Sequence, residues 1–162
     1  RWLSTGTPPV LAYVALGSNI EPRRLHIDAA IDALRSTPTI TSVRVSPIVE
    51  TQAIGPGVQG PYLNAAAEVR TSMSARQLLE RCLHIEQLQG RDRNREQRWG
   101  PRTLDLDLLM YADVVVDEPG LNIPHPRLHE RRFVLEPLSE IAADLVIPGL
   151  GCTVRACLAR LR

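Results

Sequence analysis

Asp105 and Asp107 stand two residues apart in the run Thr103-Leu104-Asp105-Leu106-Asp107-Leu108-Leu109. In a strand, successive side chains leave on opposite faces, so the two carboxylates share one face and Leu104, Leu106 and Leu108 share the other. Two like charges placed this way repel unless a cation lies between them. A hard divalent ion suits that position, because Mg²⁺ is commonly held by one or two carboxylates and completed by waters and substrate phosphates. The segment just upstream carries Arg91, Arg93, Arg95, Arg98 and Arg102, and guanidinium groups grip phosphate oxygens, often two at a time. A carboxylate pair beside an arginine run describes a site for a metal and a polyphosphate.

Each half has a plainer reading when taken alone. An antiparallel strand with one wet face also alternates polar and apolar residues. Asp92 and Glu96 partly neutralise the arginines, as they would on a solvated surface. Gly100-Pro101-Arg102, directly ahead of the aspartates, favours the joint reading. The chain contains no lysine, so it has no Gly-x-x-x-x-Gly-Lys-Ser/Thr loop, and phosphate must be held by arginine and metal.

Other residues could serve a ligand or the core. Trp99 either packs on the body of the fold or lids a flat ligand. His125, fixed between Pro124 and Pro126, can donate to a phosphate or be structural. Tyr62 and Asn64 share a face of a predicted strand; an aromatic beside an amide suits a planar heterocycle, but core packing with a satisfied amide is the plainer reading of the pair taken alone.

These groups need a scaffold. Leu11 to Leu16 reads as a buried strand ending at Gly17-Ser18-Asn19. Asn19 is a candidate cap for a helix with Pro22 in its first turn and Leu25, Ala29, Ala30, Ile31 and Leu34 as its apolar stripe. Thr39 to Thr51 reads as one strand marked by Pro47 as an edge or bulge. A turn-rich loop, Gly55 to Pro61, leads into a strand from Tyr62 to Thr71. Ser74 to Gln89 predicts a helix capped by Ser74, with Leu78, Leu79, Cys82, Ile85 and Leu88 facing the core and Gly90 ending it. A strand from Asp105 to Tyr111 then turns at Ala112-Asp113 into a partner, Val114 to Val116. Leu128 to Ala143 reads as helical and broken at Pro137, with a short helix near Val154–Leu161. The order implies an α/β (α+β) fold of ferredoxin-like type, a mainly antiparallel sheet covered by helices.

The 162 residues suit a tail or linker over 1–10 and a single domain over 11–162. The absent initiator Met suits a processed chain or a piece of a longer protein. A net charge of +1 gives no overall field for nucleic acid or an anionic membrane. The three cysteines, Cys82, Cys152 and Cys157, lack metal-site spacing and suit a reducing compartment. The sequence shows no apolar run of about twenty residues, and its reading expects no signal peptide. A cytoplasmic location is the expectation.

Together these residues closely resemble the 6-hydroxymethyl-7,8-dihydropterin pyrophosphokinases of folate biosynthesis. Arg98-Trp99-Gly100-Pro101-Arg102-Thr103-Leu104-Asp105-Leu106-Asp107-Leu108 matches that family's motif almost end to end. Ala15-Leu16-Gly17-Ser18-Asn19, Tyr62-Leu63-Asn64-Ala65-Ala66 and Ile123-Pro124-His125-Pro126 match in the same order, so the likeness covers roughly residues 11–150. The resemblance implies a ferredoxin-like fold and transfer of the β,γ-pyrophosphoryl group of ATP, the co-substrate, to the pterin hydroxymethyl oxygen, with release of AMP. It implies that Asp105 and Asp107 hold two Mg²⁺ ions; on chemical grounds Asp107 is also a candidate to take the hydroxyl proton. It assigns Arg91 and Arg102 to catalysis and phosphate binding, joined by Arg93, Arg98, His125 and Arg131. Glu86, Leu108 and Leu121 fall on its nucleotide side. Tyr62, Asn64, Phe133, Thr51, Ile54 and Trp99 match its pterin pocket and closing loop.

The chain departs from the family pattern at a long Arg91–Arg98 loop, Gln52, Leu83 and Pro126. The expected partners are the two small-molecule substrates, without nucleic acid or membrane. Fusion to, or association with, other folate-pathway enzymes stays open.

One rival is a ferredoxin-like RNA- or nucleotide-binding module without transferase activity. The near-zero charge, the 4% aromatic content and the lack of a base-stacking sheet motif weigh against it. The other rival, a relative that binds ATP without transfer, is opposed by the intact aspartate pair.

Overall fold

The computed structural model describes residues 6–53, 59–92 and 103–161. Its frame is one antiparallel sheet. β1 (Val10–Ser18) lies at the centre, between β4 (Tyr62–Thr71) and β5 (Asp105–Tyr111). β2 (Ile40–Val45) and β3 (Val49–Thr51) pair with β4 one after the other along its outer side. α1 (Arg23–Arg35) and α2 (Ala75–Leu88) cross one face, where Ile27, Leu34, Leu78 and Ile85 pack with Val14, Leu16, Leu104 and Leu106. On the other face lie α3 (Arg132–Ala142) and α4 (Val154–Arg160), whose Leu135, Leu138 and Val154 pack with Tyr13, Ala66, Leu109 and Met110. This is the expected ferredoxin-like arrangement, with a second helical layer added. Among the described residues, no helix is long and apolar enough to cross a membrane.

Contacts with distant chain explain most of the places where the elements depart from the sequence reading. The expected strand from Thr39 to Thr51 is two strands, because Ser46 interrupts the ladder: its N–H donates to the Ala66 carbonyl, and its hydroxyl accepts the Ala66 N–H. Asn19 does not cap α1. Pro22 occupies the cap position, and the Asn19 amide instead donates to Gln59 and to the Gly60 carbonyl. Leu25 and Leu88 face solvent, so the apolar stripes of α1 and α2 are narrower than the spacing suggests. Ser74 does cap α2, in a reciprocal box with Gln77. The Val114–Val116 segment does not pair with β5. β6 (Val116–Glu118) instead forms a hairpin with β7 (Leu121–Ile123). α3 runs through Pro137 without ending.

Candidate active site

β5 settles which side the carboxylates take. Asp105 lies opposite Gly17 and Asp107 opposite Ala15, while Leu104, Leu106 and Leu108 are buried under α1 and α2. Between Asp107 and Met110 the register with β1 shifts by one residue, a bulge that puts Leu109 and Met110 together in the α3 layer. The aspartate face therefore runs from an apolar floor to an uncovered end of the sheet. β4 contributes to the same face: Asn64 is opposite Gly17, and Tyr62 is opposite Thr51 of β3. The start of α3 supplies the facing wall.

These residues enclose a cavity of about 400 Å³. Asp105 and Asp107 stand on one side, Thr51, Tyr62 and Asn64 on the other, and Arg131 and Phe133 across from them. Arg127, Glu130, Val134, Gln52, Ala15, Leu16, Gly17 and Ala65 complete the lining. The sequence reading assigned none of these residues to the site, although Ala15, Leu16, Gly17 and Ala65 fall in the motifs quoted for the family and Gln52 among its departures. Gly17 and Ala15 follow from strand pairing, which only the fold reveals, and Arg127 and Glu130 arrive on a 3-10 turn (Leu128–Glu130) and its flank.

The polar groups are held firmly. The Asn64 amide donates to the Thr51 hydroxyl at 2.6 Å, which turns its oxygen toward Gly17. The Arg131 guanidinium lies 5.8 Å over the Phe133 ring and 3.7 Å from Asp107. Asp105 accepts from Arg91 at 2.9 Å. Arg91 is itself 1% exposed and donates also to Glu86, at 2.8 Å, and to the Leu104 carbonyl. Glu86, equally buried, accepts the Leu106 N–H at 2.8 Å. A buried chain, Glu86–Arg91–Asp105, thus runs beneath the strand that carries both aspartates.

Of the residues singled out from sequence, the structure brings Asp105, Asp107, Tyr62, Asn64, Thr51, Phe133 and Arg131 to one cavity. It does not bring the side chains of Glu86, Leu108 and Leu121 there. Leu108 lies on the opposite face from the aspartates, Leu121 packs in the same α1–α2 core, and Glu86 is enclosed beneath β5. Arg91 reaches the site through Asp105, from below. Ile54, Arg93, Arg98, Trp99 and Arg102 lie outside the described residues.

His125 is anchored by its N–H to the Leu109 carbonyl, and its Nδ1 accepts from the Arg127 N–H. The neutral ring therefore carries its proton on Nε2. Burial, reinforced by Arg131, lowers the His125 pKa to about 4, so the ring is a neutral donor near pH 7. In the unfolded chain a histidine titrates near 6.5. As pH falls from 6.5 toward 4, protons go preferentially to the unfolded chain, and stability present above pH 6.5 is lost through that window. We expect the unfolding temperature to drop between pH 6.5 and 5, and His125→Gln to flatten that slope. An unchanged slope in the variant would exclude His125 as its source.

The cavity combines paired carboxylates, cations and an aromatic–amide wall, which suits a planar heterocycle placed against a charged, metal-bridged group. The family model for 7,8-dihydro-6-hydroxymethylpterin-pyrophosphokinase matches residues 13–143. A Methylorubrum extorquens protein, 2-amino-4-hydroxy-6-hydroxymethyldihydropteridine pyrophosphokinase, is 45% identical over 150 residues, 93% of this chain and 92% of its own. A Haemophilus influenzae protein of the same name is 42% identical over 140 residues, 86% of each chain. Among solved structures, a Plasmodium falciparum HPPK-DHPS triple mutant with SDX-DHP superposes with a TM-score of 0.75 at 14% identity, over 97% of this chain and 45% of that one. The wild type with pterin and p-hydroxybenzoate gives 0.72 at 14% identity, over 97% and 44%. This chain spans less than half of those two chains, and they share its fold. With a family model covering most of its length and relatives above 40% identity along nearly all of it, the chain belongs to the 7,8-dihydro-6-hydroxymethylpterin-pyrophosphokinase family.

Proposed function

We propose that this chain transfers pyrophosphate from ATP to the hydroxymethyl group of 6-hydroxymethyl-7,8-dihydropterin, a step of folate biosynthesis that takes place in the cytoplasm. The observation that carries this is the cavity itself, with the aspartate pair on one side and the Tyr62–Asn64–Phe133 wall on the other. The pterin ring lies against Tyr62 and Phe133, and the fixed Asn64 amide reads its donor–acceptor edge. Its hydroxymethyl oxygen then faces the carboxylates. That oxygen attacks the β-phosphorus of ATP and releases its proton, for which the Asp107 carboxylate is in reach, the bond from this phosphorus to the α,β-bridging oxygen breaks, and AMP leaves. Arg131, neutral His125 with its Nε2 proton, and Arg102 and the other loop arginines meet the phosphate oxygens. The catalytic demand is alignment and charge stabilisation rather than covalent help from the protein.

The donor set fits Mg²⁺. Two carboxylates on one strand face, at the wall of a cavity large enough for a triphosphate, match an ion that takes few protein ligands and completes its shell from phosphates and water. Asp105 and Asp107 would hold the two ions, exchanging present contacts with Arg91 and Arg131 for metal. Bound there, Mg²⁺ neutralises the triphosphate and polarises the transferred group.

Gly17 sets the depth of the pterin pocket. A Cβ built on it would lie 3.2 Å from the Asn64 amide oxygen and 3.5 Å from the Tyr62 ring. Gly17→Ala therefore pushes the Asn64 amide by a few tenths of an ångström, while its methyl group comes into ordinary contact with the Tyr62 ring. We expect KM for the pterin to rise about tenfold, with KM for ATP within twofold. Equal changes in both constants would remove Gly17 from the pterin side.

The function itself is tested by incubating the protein with MgATP and the dihydropterin and separating the nucleotides. AMP in equal amount to pterin diphosphate is expected; ADP would identify an ordinary phosphoryl transfer, and no pterin-dependent product would leave a binding module.

A further inference from the structure

β3 is only three residues long, and it lies at the sheet's edge, where three cross-strand pairs with β4 hold it. Yet it carries Thr51, which orients the Asn64 amide. Something besides the ladder must keep so short a strand in register. One side chain outside the cavity is placed to do so. Arg23, the first residue of α1, reaches both ends of the β3–β4 connection at once. Its Nη1 donates to the Glu50 carboxylate of β3 at 3.1 Å and to the Pro61 carbonyl, next to Tyr62, at 3.0 Å. Glu21 fixes the other edge of the same guanidinium, accepting from Nε at 2.7 Å. The Arg23 side chain is 19% exposed, against 55% for Glu50 and 74% for Glu21, so the arginine is the ordered centre of the cluster. None of these three residues lines the cavity.

We propose that Arg23 is a positioning residue for pterin binding, clasping Glu50 to the Pro61 carbonyl so that Thr51 and Tyr62 stay paired at the pocket wall. The inference rests on the pterin assignment of that wall. With the clasp intact, the free protein holds the Thr51–Tyr62 pair in its binding geometry. With it removed, β3 frays, and only a fraction of molecules present an assembled wall. Apparent affinity then falls by that fraction. Once pterin is bound the wall is reassembled, so the chemical step is untouched. The signature is a raised KM without a lowered kcat. A mostly exposed ion pair and one hydrogen bond are modest interactions, which sets the expected size at about three- to tenfold.

The test compares Arg23→Met and Glu50→Gln with Asn64→Ala as the reference for the wall, each checked for an unchanged circular dichroism spectrum. Arg23→Met is expected to raise KM for the dihydropterin about three- to tenfold, with kcat and KM for ATP within twofold. Glu50→Gln gives a smaller shift of the same kind. Amide exchange at Val49–Thr51 is expected to speed up in Arg23→Met and to return to the parent rate when pterin is saturating. If Asn64→Ala weakens pterin binding while Arg23→Met leaves it within 1.5-fold, the clasp is refuted and the site assignment stands. If Asn64→Ala leaves pterin binding unchanged, the assignment of the wall fails. A fall in kcat equal to the rise in KM would make Arg23 a general stabiliser and also refute the proposal.

Discussion

Asp107→Ala is expected to lower kcat about a thousandfold or more and to leave the unfolding temperature almost where it was. The loss would follow from removing half of the proposed two-carboxylate metal site, which would leave charge developing on the phosphate oxygens uncompensated. Stability is spared because Asp107 is a quarter exposed at the cavity wall and its Arg131 partner stands at 3.7 Å, an ion pair of the kind worth about 0–1 kcal/mol. Its loss also removes repulsion from Asp105. Asp105→Ala is a less clean test, because it strips a partner from the buried Arg91. Steady-state kinetics with thermal unfolding on the same sample decides the matter. More than a tenth of the parent kcat in Asp107→Ala would contradict the metal assignment.

Glu86→Ala has the opposite profile, a large loss of stability. Glu86 and Arg91 are each 1% exposed and 2.8 Å apart. Truncating the carboxylate leaves a buried guanidinium with less compensation and the Leu106 N–H without its acceptor. Breaking a buried pair in this way typically costs about 3–5 kcal/mol, and the orphaned donor adds to it. Urea denaturation is expected to show a loss in that range, with Glu86→Gln losing less, since its amide oxygen can still accept. A loss below about 1 kcal/mol would mean that the pair is not buried as described. Leu106 sits between the two aspartates, so the bond from Glu86 also fixes their strand. The residue supports the site without touching it.

How much of this was legible beforehand depends on the range of the interactions involved. The aspartate pair was readable because strand alternation is local: Asp105 and Asp107 had to share a face if that segment was a strand, and the leucines had to share the other. The α2 cap was readable for the same reason, Ser74 and Gln77 being three residues apart. Tyr62 with Asn64 rested on the same parity, and the family resemblance joined them to the metal side.

What was hidden depends on distant chain. Ser46 splits a strand that is continuous by composition, and the split is visible only once Ala66 is beside it. Asn19 has the right type and place for a helix cap, but Gln59 and Gly60 claim its amide. Val114 to Val116 carries strong strand propensity, but propensity names no partner, and the strand that forms there pairs with β7. Pro137 removes one donor from α3, whose buried face, including Val134, Leu135 and Leu138, holds the helix together. Arg91 and Glu86 show the limit most clearly. Residue type suggests a phosphate for Arg91 and the family resemblance a nucleotide for Glu86, while their burial, which no short motif encodes, puts both beneath Asp105.

The most direct measurement is a crystal structure with Mg²⁺ and a non-hydrolysable ATP analogue. Two ions are expected between the triphosphate and the carboxylates of Asp105 and Asp107, with the Arg91–Asp105 contact loosened to admit them. A triphosphate bound elsewhere, or both aspartates still closed on Arg91 and Arg131 with no ion beside them, would contradict the account.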